Sequence, residues 1–465
     1  MMRAHGMRGH GQRPDHDAPL TPKSRHFLRR LTFATGGGMF IDGFVFATFA
    51  AAMAGKAHEA LGVTGFWDQA ISASVLIGTF FGGLVLGYIT DRIGRRPMFT
   101  FDLILFSTCA LLLFFVTAAW QVFVLGVLMG LAVGADYSIG SPLLGEFSQS
   151  KNRGHFLGLL EINWNVGYVV AYLIGYLINT YEPTWWRVIL GCSIVPALIS
   201  LVVRHGLPES PRWLVSKGRE QEAVDIYTEE LDLRSPGDLL EETVEDTDYR
   251  VLFSAEYIRR TLFASLSWSA IVMPYFALTF FGPTILRSLG LGDQSLLGAL
   301  LGTLTALVGA LLSWRLIDRV GRRAMIIPPM FICGFFLLLA AAYQQLPTAI
   351  GVLAYFGYLF SYGVMSITTG IYPEEVFPSS VRASGVGFSS SVSRIAAAIG
   401  TFGLPWVNDT FGTPVVLIIL GIVSVLGGVM CVAWAPETSG LALTETSHRT
   451  DPHAYKRSAK VPASA

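Results

Sequence analysis

The stretch GYITDRIGRRP (Gly87–Pro97) returns far along the chain as SWRLIDRVGRRAM (Ser313–Met325). Each copy reads Asp-Arg, one apolar residue, then Gly-Arg-Arg. The first supplies Asp91, Arg92, Gly94, Arg95 and Arg96; the second supplies Asp318, Arg319, Gly321, Arg322 and Arg323. Each follows a long apolar run and precedes another. One charged hairpin turn, used twice in a very hydrophobic chain, means two related halves. That pattern points to a polytopic transporter built by internal duplication.

Composition agrees. Of 465 residues, 52% are hydrophobic and 14% charged, and the mean hydropathy is +0.52. A soluble protein of this length needs a polar skin that such a composition does not supply. Runs of about 20 apolar residues recur, each long enough to cross the hydrocarbon core as a helix. The expected fold is therefore an all-α membrane protein. It has about twelve transmembrane helices in two six-helix bundles related by pseudo-two-fold symmetry. The spans fall near 32–54, 67–89, 98–119, 121–144, 155–179, 185–206, 260–286, 295–316, 325–344, 348–371, 383–408 and 413–435. The domains follow: an N-terminal tail (1–31), a first bundle (32–206), a polar linker (207–258), a second bundle (259–436) and a C-terminal tail (437–465).

Lysine and arginine set the orientation. The N-terminal tail, both charged turns, Lys151, Arg153, the linker and the C-terminal tail share one side, against Lys56, Arg187 and Arg287 on the other. The positive-inside rule puts both termini in the cytoplasm of a multi-pass plasma-membrane protein. The tail carries Arg3, Arg8, Arg13, Lys23, Arg25, Arg29 and Arg30 but no A-x-A cleavage pattern, so it reads as a cytoplasmic tail rather than a signal peptide. In the linker, Arg219–Leu233 has helical spacing, Ser235-Pro236-Gly237 breaks it, and an acidic run Glu241–Asp248 follows. Short helices joining the bundles are expected; a disordered linker is the alternative.

Several chemistries leave no trace. A net charge of +0 gives no bulk attraction for nucleic acid. Cys109, Cys192, Cys333 and Cys431 lie in apolar stretches with no disulfide or metal spacing. There is no phosphate-cradling loop with a lysine, no metal-ligand cluster and no nucleophile constellation. No enzyme, cofactor or metal is expected. The partners are a small-molecule substrate, protons and the bilayer, with a monomer as the functional unit.

These residues resemble the major facilitator superfamily, and within it the sugar-porter-like branch. Beyond the repeated turn, four signatures carry the likeness: PESPRWLVSKGR (Pro208–Arg219), GEFSQSKNRG (Gly145–Gly154), EEVFPSSVRASGVG (Glu374–Gly387) and PETSGLAL (Pro436–Leu443). The resemblance implies transport by alternating access. It also implies that the charged turns bridge helix ends and close the cytoplasmic face. Asp91, Arg92 and Arg95, and Asp318, Arg319 and Arg322, inherit that role, with Glu146, Arg153, Glu209, Arg212, Glu375 and Arg382 as ion-pair partners. A plain solvated hairpin would also satisfy the positive-inside rule, but it needs only charge and not a repeated order of residues.

Ionisable groups well inside spans are expensive and mark function. Asp42, in GGGMFIDGFVF of span 1, matches the protonation site of proton-coupled sugar porters. Low dielectric disfavours its charged form, which suits a proton carrier; a hydrogen-bonded structural Asp is the alternative. The family's span-4 Arg that partners this Asp falls here at Gly126. Asp136, in GADYSIG of span 4, lies about where phosphate and related symporters carry an Asp-Tyr; it reads as a proton relay or as a packing residue. Glu161 of span 5 matches a substrate-binding Gln, unless it snorkels to the cytoplasmic edge. Arg394 of span 11 resembles the Arg of organic-anion and aromatic-acid transporters. Its fork suits a carboxylate, either of the substrate or of Glu161.

The seventh span departs from an ordinary sugar carrier. Aligned on Phe280-Phe281-Gly282-Pro283, it puts Ile271 and Val272 where the branch has paired Gln, and Ala277 where it has Asn. Sugar hydroxyls need those amides. Trp164, Tyr168, Trp268, Tyr275, Phe276 and Tyr362 remain as aromatic walls. The expected substrate is a small amphipathic metabolite with a flat or apolar body and a charged end, an organic acid moved by proton symport. A sugar or polyol symporter and a metabolite or drug efflux carrier are the alternatives within transport. A transporter-like sensor is the alternative outside it, and the short tails speak against that.

Overall fold

The computed structural model describes residues 21–63, 65–147, 153–231, 249–377 and 381–439. Among them, eleven helical segments are long and apolar enough to cross a membrane. Spans 1 to 6 are Pro22–Met53, Phe66–Thr90, Arg95–Leu113, Ala119–Phe147, Arg153–Tyr181 and Pro183–Arg204. Spans 7 to 12 are Ile258–Phe280, Ser295–Val320, Arg322–Ala341, Thr348–Val376, Arg382–Phe411 and Thr413–Trp434. Span 11, which carries Arg394, is the twelfth long helix.

The packing repeats with the chain. Span 1 packs on 5 as 7 packs on 11, 2 on 4 as 8 on 10, and 3 on 6 as 9 on 12. The two bundles meet where span 5 lies against 8 and span 11 against 2. Adding six to any span number maps these contacts onto one another, as a pseudo-two-fold axis requires. Small residues allow the close approaches, since helices in lipid gain by packing their backbones together. A Cβ on Gly83 of span 2 would stand 2.4 Å from Ser391 Oγ of span 11. There span 2 opens into a π-helical stretch, Gly82–Leu86, and the Ser391 hydroxyl donates to the Phe80 carbonyl at 2.9 Å.

Both charged turns are built alike. Gly94 has φ 110° and ψ 161°, and Gly321 has φ 95° and ψ 162°, a region that glycine enters without a Cβ penalty. The next helix then starts at once, with its first N–H groups unsatisfied. Glu209 accepts those of Arg95 and Arg96 at 3.0 and 3.1 Å, and Glu437 accepts those of Arg322 and Arg323 at 2.9 and 3.1 Å. A carboxylate at a helix N-terminus also answers the dipole. The two turns share one end of the molecule. There Trp314 Nε1 of span 8 donates to the His155 carbonyl of span 5 at 2.9 Å, and a Cβ on Gly154 would lie 2.2 Å from Asp318 Oδ1.

Some boundaries move. The first helix begins at Pro22, well before residue 32, because Thr21 Oγ1 caps it at the Ser24 N–H (3.2 Å) and proline opens it. Lys23, Arg25, Arg29 and Arg30 therefore ride on a helix rather than a tail. Span 7 stops at Phe280 rather than 286, and Gly282-Pro283 starts a separate short helix, Gly282–Ser288. In the linker, helices Pro211–Ser216 and Glu220–Leu231 and a 3-10 turn, Tyr249–Phe253, are formed. The acidic run 241–248 and the residues beyond 439 lie outside the described part.

Candidate functional site

The residues expected at the cytoplasmic gate divide into three groups. In the second half they form a connected network. Arg322 lies fully buried and grips Glu375 with two bonds, Nε to Oε2 at 3.3 Å and Nη2 to Oε1 at 3.1 Å. Its Nη1 donates to Asp318 Oδ1 at 2.8 Å and to the Ser439 hydroxyl at 3.0 Å, and the Thr438 hydroxyl donates to Glu375. A forked pair with its remaining lone pairs satisfied is the arrangement that tolerates burial. Arg95 and Arg382 are likewise buried at this end. Arg92 and Arg319 differ: both are exposed, and Arg92 stacks 4.3 Å over the Tyr88 ring. The side chains of Asp91, Glu146, Arg153 and Arg212 lie outside the described residues.

The central charges gather on Arg204, the last residue of span 6. Its Nη2 donates to Asp136 Oδ1 at 2.6 Å, its Nη1 to Asp102 Oδ2 at 3.3 Å and its Nε to the Ala34 carbonyl at 3.2 Å. Its guanidinium carbon stands 4.3 Å over the Phe99 ring. All three side chains are at most 5% exposed. Asp42 is 2% exposed, and its Oδ2 has no hydrogen-bond partner. Asp42, Asp102 and Asp136 line one cavity of about 10 Å³, the size of a single water. Two carboxyls thus share one guanidinium, and Asp42 lines the same cavity without an ion pair to it. Gly38 makes the room: a Cβ there would stand 1.8 Å from Arg204 Nη2 and 2.1 Å from Asp136 Oδ2.

The missing span-4 arginine has a steric reason. A Cβ on Gly126 would meet Ser74 Oγ at 2.2 Å and Phe49 Cε1 at 2.9 Å, so spans 2 and 4 leave no room for a side chain there. The cation arrives from span 6 instead. Sequence reasoning missed both Arg204 and Asp102, because each stands near a span end and reads as an interfacial charge. Glu437 was also missed. Its signal was present, since Pro436-Glu437-Thr438 repeats Pro208-Glu209-Ser210.

Arg394 occupies a different setting. It is 2% exposed, and its Nε has no hydrogen-bond partner. Four rings surround the guanidinium carbon: Tyr137 at 4.8 Å, Phe276 at 5.4 Å, Phe46 at 5.7 Å and Trp268 at 5.8 Å. Glu161 is buried and feels the charge of Arg394, yet the two form no ion pair within 4 Å among the described residues. Glu161 rests on span 10, where a Cβ on Gly370 would stand 2.8 Å from its Oε1. Its side chain is buried within the protein.

The expected aromatic wall is continuous with this arginine. Phe46 stands 4.8 Å from Phe276 and 6.2 Å from Trp164. Trp164 stacks on Tyr168 at 5.4 Å and approaches Tyr275 at 6.0 Å. Tyr275 stacks on Tyr362 at 3.8 Å with 6° between planes. Trp268 meets Tyr137 edge-on at 6.0 Å. Trp164 Nε1 is buried without a hydrogen-bond partner, a polar handle next to apolar faces. Ile271, Val272 and Ala277 are all buried, so span 7 brings no amide to the site.

Comparison with known proteins agrees with this architecture. The family described as "Sugar (and other) transporter" matches residues 31–449. The inner membrane metabolite transport protein YgcS of Escherichia coli (strain K12) is 37% identical over 435 residues, covering 92% of this chain and 94% of that one. The niacin transporter NiaP of Acinetobacter baylyi is 26% identical over 371 residues, covering 76% and 83%. Among solved structures, the proton:xylose symporter XylE bound to 6-bromo-6-deoxy-D-glucose superposes with a TM-score of 0.80 at 18% identity, covering 91% of this chain and 99% of that one. The duplicated turn, the six-plus-six packing and these matches agree: the chain belongs to the sugar (and other) transporter family of the major facilitator superfamily.

Proposed function

We propose that the protein is a proton-coupled symporter of a small monocarboxylate with a flat or apolar body. The observation that carries this is Arg394, a buried guanidinium set among rings, with no carboxylate within ion-pair distance among the described residues. Leaving such a charge unanswered is costly, and a substrate carboxylate answers it with a bidentate fork. Trp164, Tyr168, Tyr275 and Tyr362 offer faces to the body of the substrate. The relative called a niacin transporter supports the reading, since niacin is an aromatic monocarboxylate.

Coupling follows from charge. Asp42 is the proton carrier, and Arg204 holds Asp136 and Asp102 beside it. With Asp42 and Glu161 ionised, the site repels an anion. A proton on either carboxyl leaves Arg394 less opposed, so proton and anion favour one another's binding. Affinity for a monocarboxylate then rises as pH falls. In this reading Arg322, Glu375 and Asp318 close the cytoplasmic face, both termini lie in the cytoplasm, and one copy in the plasma membrane suffices.

The test is binding of nicotinate and benzoate to purified protein from about pH 5 to 8, the range in which a buried carboxyl exchanges its proton. Tighter binding at low pH, weakened at least tenfold in Arg394→Lys, is expected. Affinity that rises with pH and is lost in Glu161→Gln would mean a cationic substrate instead. A sugar is the second reading, favoured by the family and by the likeness to the xylose symporter. Glucose or xylose binding in the same assay, unaffected by Arg394→Lys, would select it.

A further inference from the structure

A groove of about 670 Å³ runs along the outside of the first bundle between spans 1, 5 and 6. Nothing in the transport reading uses it. Its volume falls within the ~300–1,000 Å³ of small-molecule sites. Its lining changes along its length. At the charged-turn end stand Arg25, Arg29 and His155, all exposed. Deeper in, Phe33, Phe40 and Ile199 dominate the walls. Phe33 is 70% and Ile199 58% exposed, so the apolar part opens outward.

The dimensions select an occupant. From Arg25 to Phe40 the first helix rises about 22 Å. That is close to one leaflet with its headgroups, half of a bilayer of about 40–45 Å. Cations at the interface and apolar walls below match a molecule with an anionic head and hydrocarbon tails. Basic pockets between helices at the membrane surface bind such heads. Gly37 lets spans 1 and 6 close the floor of the groove: a Cβ there would stand 2.7 Å from Ser200 Oγ, which also lines it.

We infer that this groove is a binding site for an anionic phospholipid of the leaflet at the charged-turn end. The phosphodiester lies against Arg25 and Arg29, with His155 as a further donor, and one acyl chain follows Phe33 towards Phe40.

The test is native mass spectrometry of the full-length protein titrated with dimyristoyl phosphatidylglycerol or with dimyristoyl phosphatidylcholine. The wild type is expected to bind one phosphatidylglycerol in preference to phosphatidylcholine. Removing both cations in Arg25→Gln/Arg29→Gln should lower that preference about 25-fold, at about fivefold for each charge near the headgroups. Arg315→Gln, an exposed arginine near the same end of span 8, should leave it unchanged. Thr32→Trp, which fills the groove, should weaken both lipids. The inference is overturned if the double variant keeps the preference, or if Arg315→Gln removes as much, since that is general surface attraction. It is also overturned if Thr32→Trp binds lipid as well as the wild type, or if inorganic phosphate displaces the lipid equally from both.

Discussion

The two halves share a scaffold and differ in their chemistry. At the turns they match residue for residue: Gly94 and Gly321 adopt the same backbone, and Glu209 and Glu437 cap the following helices in the same way. At the buried charges the match ends. Counted equally from Gly94 and Gly321, Asp102 corresponds to Pro329. Counted from Glu146 and Glu375, Asp136 corresponds to Met365. Counted from Glu209 and Glu437, Arg204 corresponds to Val432. Duplication therefore kept the charged turns and did not keep the buried charges Asp102, Asp136 and Arg204. The first bundle holds two carboxyls on one arginine with Asp42 beside them, while the second presents Arg394 with rings around it. In the proposed function, separate bundles for proton and anion would let each bias the other across the interface that alternating access opens and closes.

The largest effect should come from breaking that asymmetry at its centre. Arg204→Met leaves Asp102 and Asp136 without their cation, next to Asp42. Removing one partner of a buried pair costs about 3–5 kcal/mol, so the melting temperature should drop sharply and transport should vanish. Its counterpart Val432→Met, 49% exposed, should stay within about 0.5 kcal/mol of the wild type in the same melts. Equal losses in the two would mean that the charge cluster has no special weight.

Glycine substitutions give a second contrast. Gly38→Ala drives a methyl group into Arg204 and Asp136 and should cost about 1–3 kcal/mol, as overpacking does, with uptake falling at least tenfold. Gly403→Ala, on span 11, meets nothing within 4 Å and should be neutral or slightly stabilising. Thermal unfolding and uptake of the two variants side by side would show whether the packing around Arg204 is as tight as described.

The smallest effect should be symmetric. Glu209→Gln and Glu437→Gln each keep the hydrogen-bonding shape but lose a charge at a helix start, worth about 0.3–1 kcal/mol. The two should destabilise alike. A loss in one half several times that in the other would break the equivalence of the turns.

The repeated turn made most of the fold legible, because a duplicated order of charged residues needs no structure to be seen. Asp42, Asp136, Glu161 and Arg394 were legible for a related reason: a charge deep in an apolar run stands out. Arg204 and Asp102 did not stand out. Their places near span ends read as interface, and only the packing of span 6 against spans 1 and 3, with Arg204 reaching Asp136 of span 4, buries them. Gly126 read as the loss of a partner, whereas its Cβ position is already filled by span 2. The early start of the first helix was hidden because a Thr-Pro cap in a basic stretch carries no hydropathy signal.

The central claim is that Asp42 carries the coupled proton, held beside Arg204. In proteoliposomes, Asp42→Asn keeps the shape but cannot titrate. With an imposed inward proton gradient it should fail to concentrate a labelled monocarboxylate that the wild type concentrates. In the same vesicles without a gradient it should still exchange labelled for unlabelled substrate. Accumulation by Asp42→Asn at the wild-type level would contradict the account and move the proton to another group, Asp136 first.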